Sequence, residues 1–395
     1  MIKDFNFYAP TRVVFGRDSE EKLPQLLKAN GAKKVLVHYG GGSAKRSGLL
    51  DKVYALLNGA GIPYVELGGV VPNPLLSKVE VGISLSRSEG VDFILAVGGG
   101  SVIDSAKAIG YGVKYNGDVW DFWAGKASPT DCLPIGVILT IPAAGSEMSS
   151  SCVITKDEGA IKRGINSDLC RCRFCIMNPE RTYTLPPYQT AAGCTDIMMH
   201  TMERYFSKYT DMLLTDAISE ALLRTVKDCA VEVMKNPEDY RLRAQIMWAG
   251  SLAHNDLTEC GTEKDFSTHK LEHELSALFG VTHGAGLAAI WASWARYVMD
   301  KHLSRFVQFA VNVMGVTNDF GHPEETALRG IAAIEEFYRQ IGMPTSIPEL
   351  IGRPATDEEI LLMVKKCSRE GSMNIGAMEI LQPKDMEAIY RIANK

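Results

Sequence analysis

Apolar positions in the first 180 residues or so fall into two alternating rhythms. Short β-branched runs, clearest at residues 35–38, 64–67, 93–97 and 135–139, are separated by stretches such as 49–58 and 75–89, where apolar residues recur at helical spacing between glycines. That alternation predicts a parallel sheet whose strands are joined by crossover helices. Beyond Pro179 the strand rhythm stops and long helical patterns follow, over residues 211–234, 240–253 and 328–341. The predicted architecture is an α/β, Rossmann-like nucleotide-binding domain over residues 1–180 and an all-α domain over residues 181–395. Pro186-Pro187 lies near the change, where proline can neither continue a helix nor donate to a sheet.

The run at 93–97 leads into Gly98-Gly99-Gly100-Ser101 and then an apolar helical stretch. Glycines let the backbone approach a ligand, and the start of a helix offers unpaired N–H groups at a positive dipole end, so this turn can cradle a pyrophosphate. Glycine-rich corners also serve as plain strand-to-helix connections, and the turn alone does not separate the two. A second turn, Gly40-Gly41-Gly42-Ser43, follows the run at 35–38, where the adenosine ribose lies in a Rossmann-like arrangement. Neither turn has the GxGxxG spacing. An acidic residue here would bond the ribose 2′-hydroxyl and repel a 2′-phosphate. This chain instead has Tyr39, with Lys45 and Arg46 close behind, so NADP(H) is favoured and NAD(H) still accommodated.

In the second half, Asp196 and His200 lie four apart, so a helix puts both on one face. His269 and His273 repeat the spacing, and His283 follows. A single such pair is weak evidence, because a lone histidine is more often a satisfied or surface residue than a ligand. One aspartate with four of the chain's eight histidines in a helical domain predicts one inward-facing site for a divalent first-row ion, Fe2+ or Zn2+. Such an ion polarises a carbonyl or lowers the pKa of an alcohol. Cys170, Cys172 and Cys175 also cluster, but no fourth ligand sits at a finger-like spacing. A short strand of small apolar thiols ending at Asn178-Pro179 is the favoured reading.

Bulk properties narrow the classes. A chain of 395 residues with 46% hydrophobic and 23% charged positions can bury two cores. Forty-seven acids against 42 bases give no general attraction to nucleic acid or an anionic membrane, and no apolar run reaches membrane-spanning length. Nine cysteines, an odd number without a leader-like start, suit reduced thiols and a cytoplasmic setting.

With these residues in view, the chain resembles the iron-containing, or group III, alcohol dehydrogenases, and within them the butanol dehydrogenase branch. The resemblance runs from Phe5-Asn6-Phe7, Pro10-Thr11 and Val14-Phe15-Gly16 into the helical half. Its most specific parts are Gly98 to Ser101 with Asp104 and Lys107, Gly145-Ser146-Glu147-Met148, and His269 to His283 followed by Gly284-Ala285-Gly286-Leu287-Ala288. It implies a dehydroquinate synthase-like architecture and a metal held by Asp196, His200, His269 and His283. His273 would be an active-site histidine near the nicotinamide, with an orienting role behind the ligands as the alternative. Cofactor contacts would fall on Gly40, Gly41, Ser43, Asn73, Gly98, Gly99, Gly100, Ser101, Asp104, Thr140, Ser149 and Lys162. The implied protein is a cytoplasmic homodimer interconverting short-chain aldehydes and primary alcohols, such as butanal and butanol, with NAD(P)(H). The cysteine-rich stretch 170–175 departs from the family's ordinary apolar strand. Glycerol dehydrogenases and dehydroquinate synthases share the two-domain plan, so fold alone leaves the reaction open. A nucleotide-binding sensor without catalysis is disfavoured by the intact aspartate and histidine set.

Overall fold

The β-branched runs form strands. In chain order they are β1 (Arg12–Phe15), β2 (Val35–Gly40), β3 (Tyr64–Val70), β4 (Phe93–Gly98), β5 (Ile135–Leu139), β6 (Ser151–Lys156), β7 (Ile161–Asn166) and β8 (Phe174–Met177). Six of them make one sheet in the order β1-β8-β5-β4-β2-β3, and every neighbouring pair is parallel. β4, β5 and β8 are buried along their whole length, as expected of central strands covered on both faces. The structure, a computed structural model, describes residues 2–395.

The order of strands locates a binding edge. From β2 the chain steps outward to β3, then returns to the other side of β2 to lay down β4, so β2 and β4 flank a topological switch point. The two glycine turns leave the carboxyl ends of those two strands, which is where ligands bind in open α/β sheets.

This unit spans Tyr8–Thr184, and the second comprises Leu185–Lys395 joined by the chain's first residues as far as Phe7. The second unit is helical. Helix Pro187–Tyr205 begins with proline at its first turn and is buried at every position from Thr190 to Tyr205, so it runs through the interior rather than along a surface. Helix His283–Val298 is almost as enclosed. Phe206, Trp291, Trp294, Phe306 and Phe309 pack round one another with ring centroids 4.7–6.2 Å apart, an aromatic core beside these two helices.

Three details differ from the expectation. An antiparallel hairpin of β6 and β7 interrupts the α/β alternation, its register running from Ser151↔Asn166 to Lys156↔Ile161. The strand expected over the cysteines starts only at Phe174. Ser167 caps a short 3-10 turn, Asp168–Cys170, so Cys170 and Cys172 precede the strand and Cys175 alone lies on it. Finally, the helix read over 328–341 spans Pro323–Gln340. Its first turn carries Pro323, Glu324 and Glu325, which suit the positive end of a helix but hide the apolar rhythm there.

Candidate metal and cofactor sites

Of the predicted cofactor residues, Gly40, Gly41, Ser43, Asn73, Gly98, Gly99, Gly100, Ser101 and Thr140 all lie at the carboxyl ends of β2 to β5 or in the loops and helix starts that follow. Helix Gly100–Val113 starts directly from the Gly98-Gly99-Gly100-Ser101 turn, and no side chain caps it, so its first N–H groups are available to an anion. Packing also requires glycine here, since a Cβ on Gly99 would strike the Ile141 side chain. Asn73 adopts a left-handed backbone at φ 55°. The next residue's carbonyl accepts from the N–H of Thr155, which pairs with Lys162 across the hairpin. The hairpin thereby brings Lys162 to the Asn73 loop.

Two predicted contacts are engaged inside the protein. Asp104 accepts from the Ser146 hydroxyl at 2.5 Å and from the Val153 N–H at 2.9 Å, and burial raises its carboxyl above the ordinary value. Ser149 is buried, its hydroxyl accepting from the Ser151 N–H and its carbonyl from Lys107. Lys107 itself is wholly buried, yet its ammonium donates to three carbonyls, those of Ser146, Ser149 and Ser151, at 2.7, 3.0 and 2.7 Å. Its three donors are all used, which allows a charge to sit there. Sequence reasoning treated Lys107 as a motif letter; the structure makes it the clasp of the 146–151 loop.

At the other glycine turn, Lys45 and Arg46 are exposed. Lys45 lies over the Tyr39 ring at 5.3 Å, and the Arg46 guanidinium folds back to where a Cβ on Gly42 would be. Two cations therefore border this turn. Tyr39 donates to Glu66 on β3, as does Tyr54.

In the helical unit three of the four predicted ligands, Asp196, His200 and His269, bring ligand atoms within 4.8 Å of one another, while His283 groups with Glu272 and His273 and reaches the first group through Asp196. Asp196 and His200 project from one face of Pro187–Tyr205, His269 comes from helix Ser267–Phe279, and His283 is the first residue of the next helix. Asp196 Oδ1 lies 3.0 Å from His200 Nδ1, 3.8 Å from His269 Nε2 and 3.8 Å from His283 Nε2. None is a hydrogen bond to that oxygen. His200 Nδ1 is committed to the Asp196 main-chain carbonyl, and the other two separations are too long. Asp196 Oδ1 and His269 Nε2 are thus buried with no hydrogen-bond partner. Each such orphan costs on the order of 1–3 kcal/mol, and two facing each other in a His and Asp set are what a divalent cation satisfies.

The charges follow the geometry. Burial alone would push the Asp196 carboxyl up, but His200, His269 and His283 hold it well below the ordinary range. Burial pushes His200 down to about 4. For His269 burial acts in the same direction, yet the Asp196 and Glu203 carboxylates outweigh it and raise the imidazole to about 9. A cation at Asp196 would therefore replace a proton, as metal binding to histidine generally does.

His273 stands one turn beyond His269 and is half-buried, its ring 5.7 Å from that of His283. Its nearest potential ligand atoms are those of Glu272 and His283 rather than of Asp196, His200 and His269. Several neighbours were not singled out from sequence. Glu203 accepts from the main-chain N–H of His269 and lies 3.1 Å from its ring Nδ1; Glu272 meets Nδ1 of His283. His254 packs on His200 with centroids 4.1 Å apart. Phe266, at φ 56°, lays its ring 4.8 Å from that of His269. A bulky residue in left-handed backbone is strained, and such strain collects at functional sites. One signal for Glu203 was present, since Asp196, His200 and Glu203 form an i, i+4, i+7 stripe of ionisable residues on one face of a buried helix.

Among the described residues, no cluster able to hold an ion contains a cysteine, and all nine cysteines are free. Burial pushes the thiols of Cys172 and Cys175 up, so they behave as packing groups. No helix among the described residues is long and apolar enough to cross a membrane.

Comparison with known proteins shows which family the chain is similar to. The sequence pattern of iron-containing alcohol dehydrogenases matches residues 10–179, and that of the C-terminal region of the Fe-containing alcohol dehydrogenase family matches 190–393. NADH-dependent butanol dehydrogenase A of Clostridium acetobutylicum is 39% identical over 98% of both chains. The NADPH-dependent aldehyde reductase of Escherichia coli is 34% identical over 99% of this chain and 100% of its own. The crystal structure of NADH-dependent butanol dehydrogenase A from Thermotoga maritima superimposes with a TM-score of 0.95 at 35% identity, covering 100% of this chain and 99% of that one.

Proposed function

The chain belongs to the iron-containing alcohol dehydrogenase family, and from that premise we propose that it is an NAD(P)-dependent alcohol dehydrogenase that reduces short-chain aldehydes such as butanal to primary alcohols. One divalent ion is held by Asp196, His200, His269 and His283. The observation that carries this reading is that His269 Nε2 and His283 Nε2 both face Asp196 Oδ1 at 3.8 Å beside the buried His200 ring, with that oxygen and His269 Nε2 both buried and unpartnered. The family's name favours Fe2+, and the ligand set accepts Zn2+ equally.

When bound, the ion supplies Lewis-acid polarisation of the carbonyl and the reduced dinucleotide supplies the hydride. The chain's own groups do the rest. Asp196 brings the negative charge that holds a cation among neutral imidazoles, and burial lowers the local dielectric so that this charge acts strongly. His273, half-buried and apart from the Asp196, His200 and His269 group, helps relay the proton between the product oxygen and solvent. Its second reading, an orienting histidine, draws on its ring lying 5.7 Å from that of His283. The backbone of Gly98 to Ser101 with the open helix end receives the pyrophosphate. Lys45 and Arg46 favour NADP(H), although the relatives divide between NADH and NADPH. From the family resemblance we also read the enzyme as a cytoplasmic homodimer.

The test is a panel of C2 to C6 aldehydes run with NADPH and NADH on enzyme reconstituted with Fe2+ or Zn2+. Oxidation of the reduced cofactor that needs the ion and includes butanal is expected. Turnover that survives complete removal of the ion, or none with any aldehyde, would contradict the proposal.

A further inference from the structure

The two histidines whose Nε2 atoms point at Asp196 Oδ1 have something else in common. Each has a buried glutamate at its other ring nitrogen. Glu203 is 4% exposed, and its Oε1 takes the main-chain N–H of His269 at 2.9 Å and lies 3.1 Å from the ring Nδ1. Glu272 is fully buried, with Oε2 at Nδ1 of His283 and Oε1 receiving the Ser276 hydroxyl. The two Nε2 atoms then stand at the same 3.8 Å from one oxygen.

A carboxylate can only accept, so the nitrogen facing it must carry the proton. The single proton of a neutral imidazole is thereby committed to Nδ1, and the lone pair is left on Nε2, facing Asp196. An unrestrained ring could flip or take the other tautomer; these two cannot do so without depriving a buried carboxylate of one of its donors. The fold keeps space for the second glutamate. A Cβ on Gly286 would lie 2.7 Å from Glu272 Oε1 and 2.8 Å from its Cγ, so alanine there would displace the side chain. A Cβ on Gly284 would run into the Ala192 carbonyl, so the His283 helix can approach the Asp196 helix this closely only with glycine at that position. The Gly284-Ala285-Gly286 sequence is therefore explained by what each glycine faces.

We propose that Glu203 and Glu272 are positioning residues for the metal site, fixing His269 and His283 in the tautomer and orientation in which both Nε2 lone pairs meet one ion. This rests on the reading of Asp196, His200, His269 and His283 as ligands. Neither glutamate is assigned to the ion itself.

The experiment is a Co2+ titration of the metal-stripped full-length protein against a chromophoric chelator, recording affinity and the visible absorption of bound cobalt. Glu272→Ala is expected to weaken Co2+ about 10–100-fold and to shift the cobalt spectrum. Glu272→Gln keeps an acceptor oxygen for Nδ1–H and should recover most of the affinity. Gly286→Ala, which leaves the glutamate in the chain but pushes it aside, should weaken binding in the same direction. In a His283→Ala background, Glu272→Ala should cost nothing further, because its effect passes through that ring; a generally structural role would still add its own loss. Glu203→Ala and His269→Ala form a second pair on the same terms. Wild-type affinity in Glu272→Ala, or additive losses in the double variant, overturns the positioning role. If Glu272→Ala does not fold, unchanged affinity in Gly286→Ala overturns it instead. Wild-type affinity in His283→Ala and His269→Ala would overturn the ligand reading, which keeps the two failures apart.

Discussion

The α/β unit and the helical unit present their candidate ligand groups in different materials. In the first, the groups at the switch point are largely backbone: two glycine turns and the uncapped start of helix Gly100–Val113. Charged side chains there, Asp104 and Lys107, turn inward to hold the 146–153 segment. In the second unit, backbone plays the smaller part. The proposed ligands Asp196, His200, His269 and His283 come from three helices, and Glu203 and Glu272 stand at the far ring nitrogens of His269 and His283. Backbone suits an extended polyanion that any peptide N–H can grip; an ion of fixed ligand preference needs side chains of a particular kind at defined positions. The two units should accordingly break in different ways.

The largest effect on the first unit should come from Lys107. Replacing it with methionine leaves three buried carbonyls facing an apolar chain, which costs on the order of 3–5 kcal/mol. Thermal or urea unfolding should show that loss, together with weakened dinucleotide binding and unchanged Co2+ affinity in the helical unit. Equal loss of both ligands would erase the contrast.

Next in size is a pH effect. His38 is fully buried in β2, its ring nitrogens at the Leu67 carbonyl and the Ser105 hydroxyl, and burial pushes its pKa from 6.5 down to about 4. The folded state favours the neutral ring, so its contribution is complete above the unfolded value of 6.5. It is then lost as the pH falls towards 4, where the unfolded chain is protonated and the folded one is not. The loss amounts to about 3 kcal/mol. Comparing unfolding of the wild type and His38→Gln from pH 7 to pH 4 isolates this term, and parallel curves would refute it.

The smallest effect is on cofactor choice. Arg46→Ala should raise the KM for NADPH about tenfold, roughly one charge-assisted contact, and leave that for NADH nearly unchanged. An equal change for both cofactors would place Arg46 away from the 2′ position.

The sequence was a better guide to some of this than to the rest, for physical reasons. Period-two and period-3.6 patterns are set by burial, so the central strands and the helix Tyr240–Ala253 could be read directly. The β6–β7 hairpin was not, because the 161–166 strand is only partly buried and its central Lys162, Arg163 and Gly164 leave no apolar alternation to betray it. The Asp196–His200 and His269–His273 spacings were visible, but spacing cannot say which histidine of a pair faces the ion. The approach to Asp196 separates them, since His269 groups with Asp196 and His200 whereas His273 does not. Glu203 lies on the Asp196 and His200 face of its helix but spacing alone does not pair it with a histidine on another helix, and Glu272 sits beside His273. Gly284 and Gly286 read as motif letters until their neighbours were seen.

The central claim is that one ion is bound by Asp196, His200, His269 and His283, with His273 outside its shell. The most direct test is metal stoichiometry, by elemental analysis, of Fe2+-reconstituted wild type, His283→Ala and His273→Ala, alongside kcat for butanal. The account predicts close to one ion per chain in the wild type and in His273→Ala, the latter with reduced kcat, and little metal or turnover in His283→Ala. A metal-free His273→Ala beside a fully loaded His283→Ala would contradict it and move the site towards Glu272 and His273.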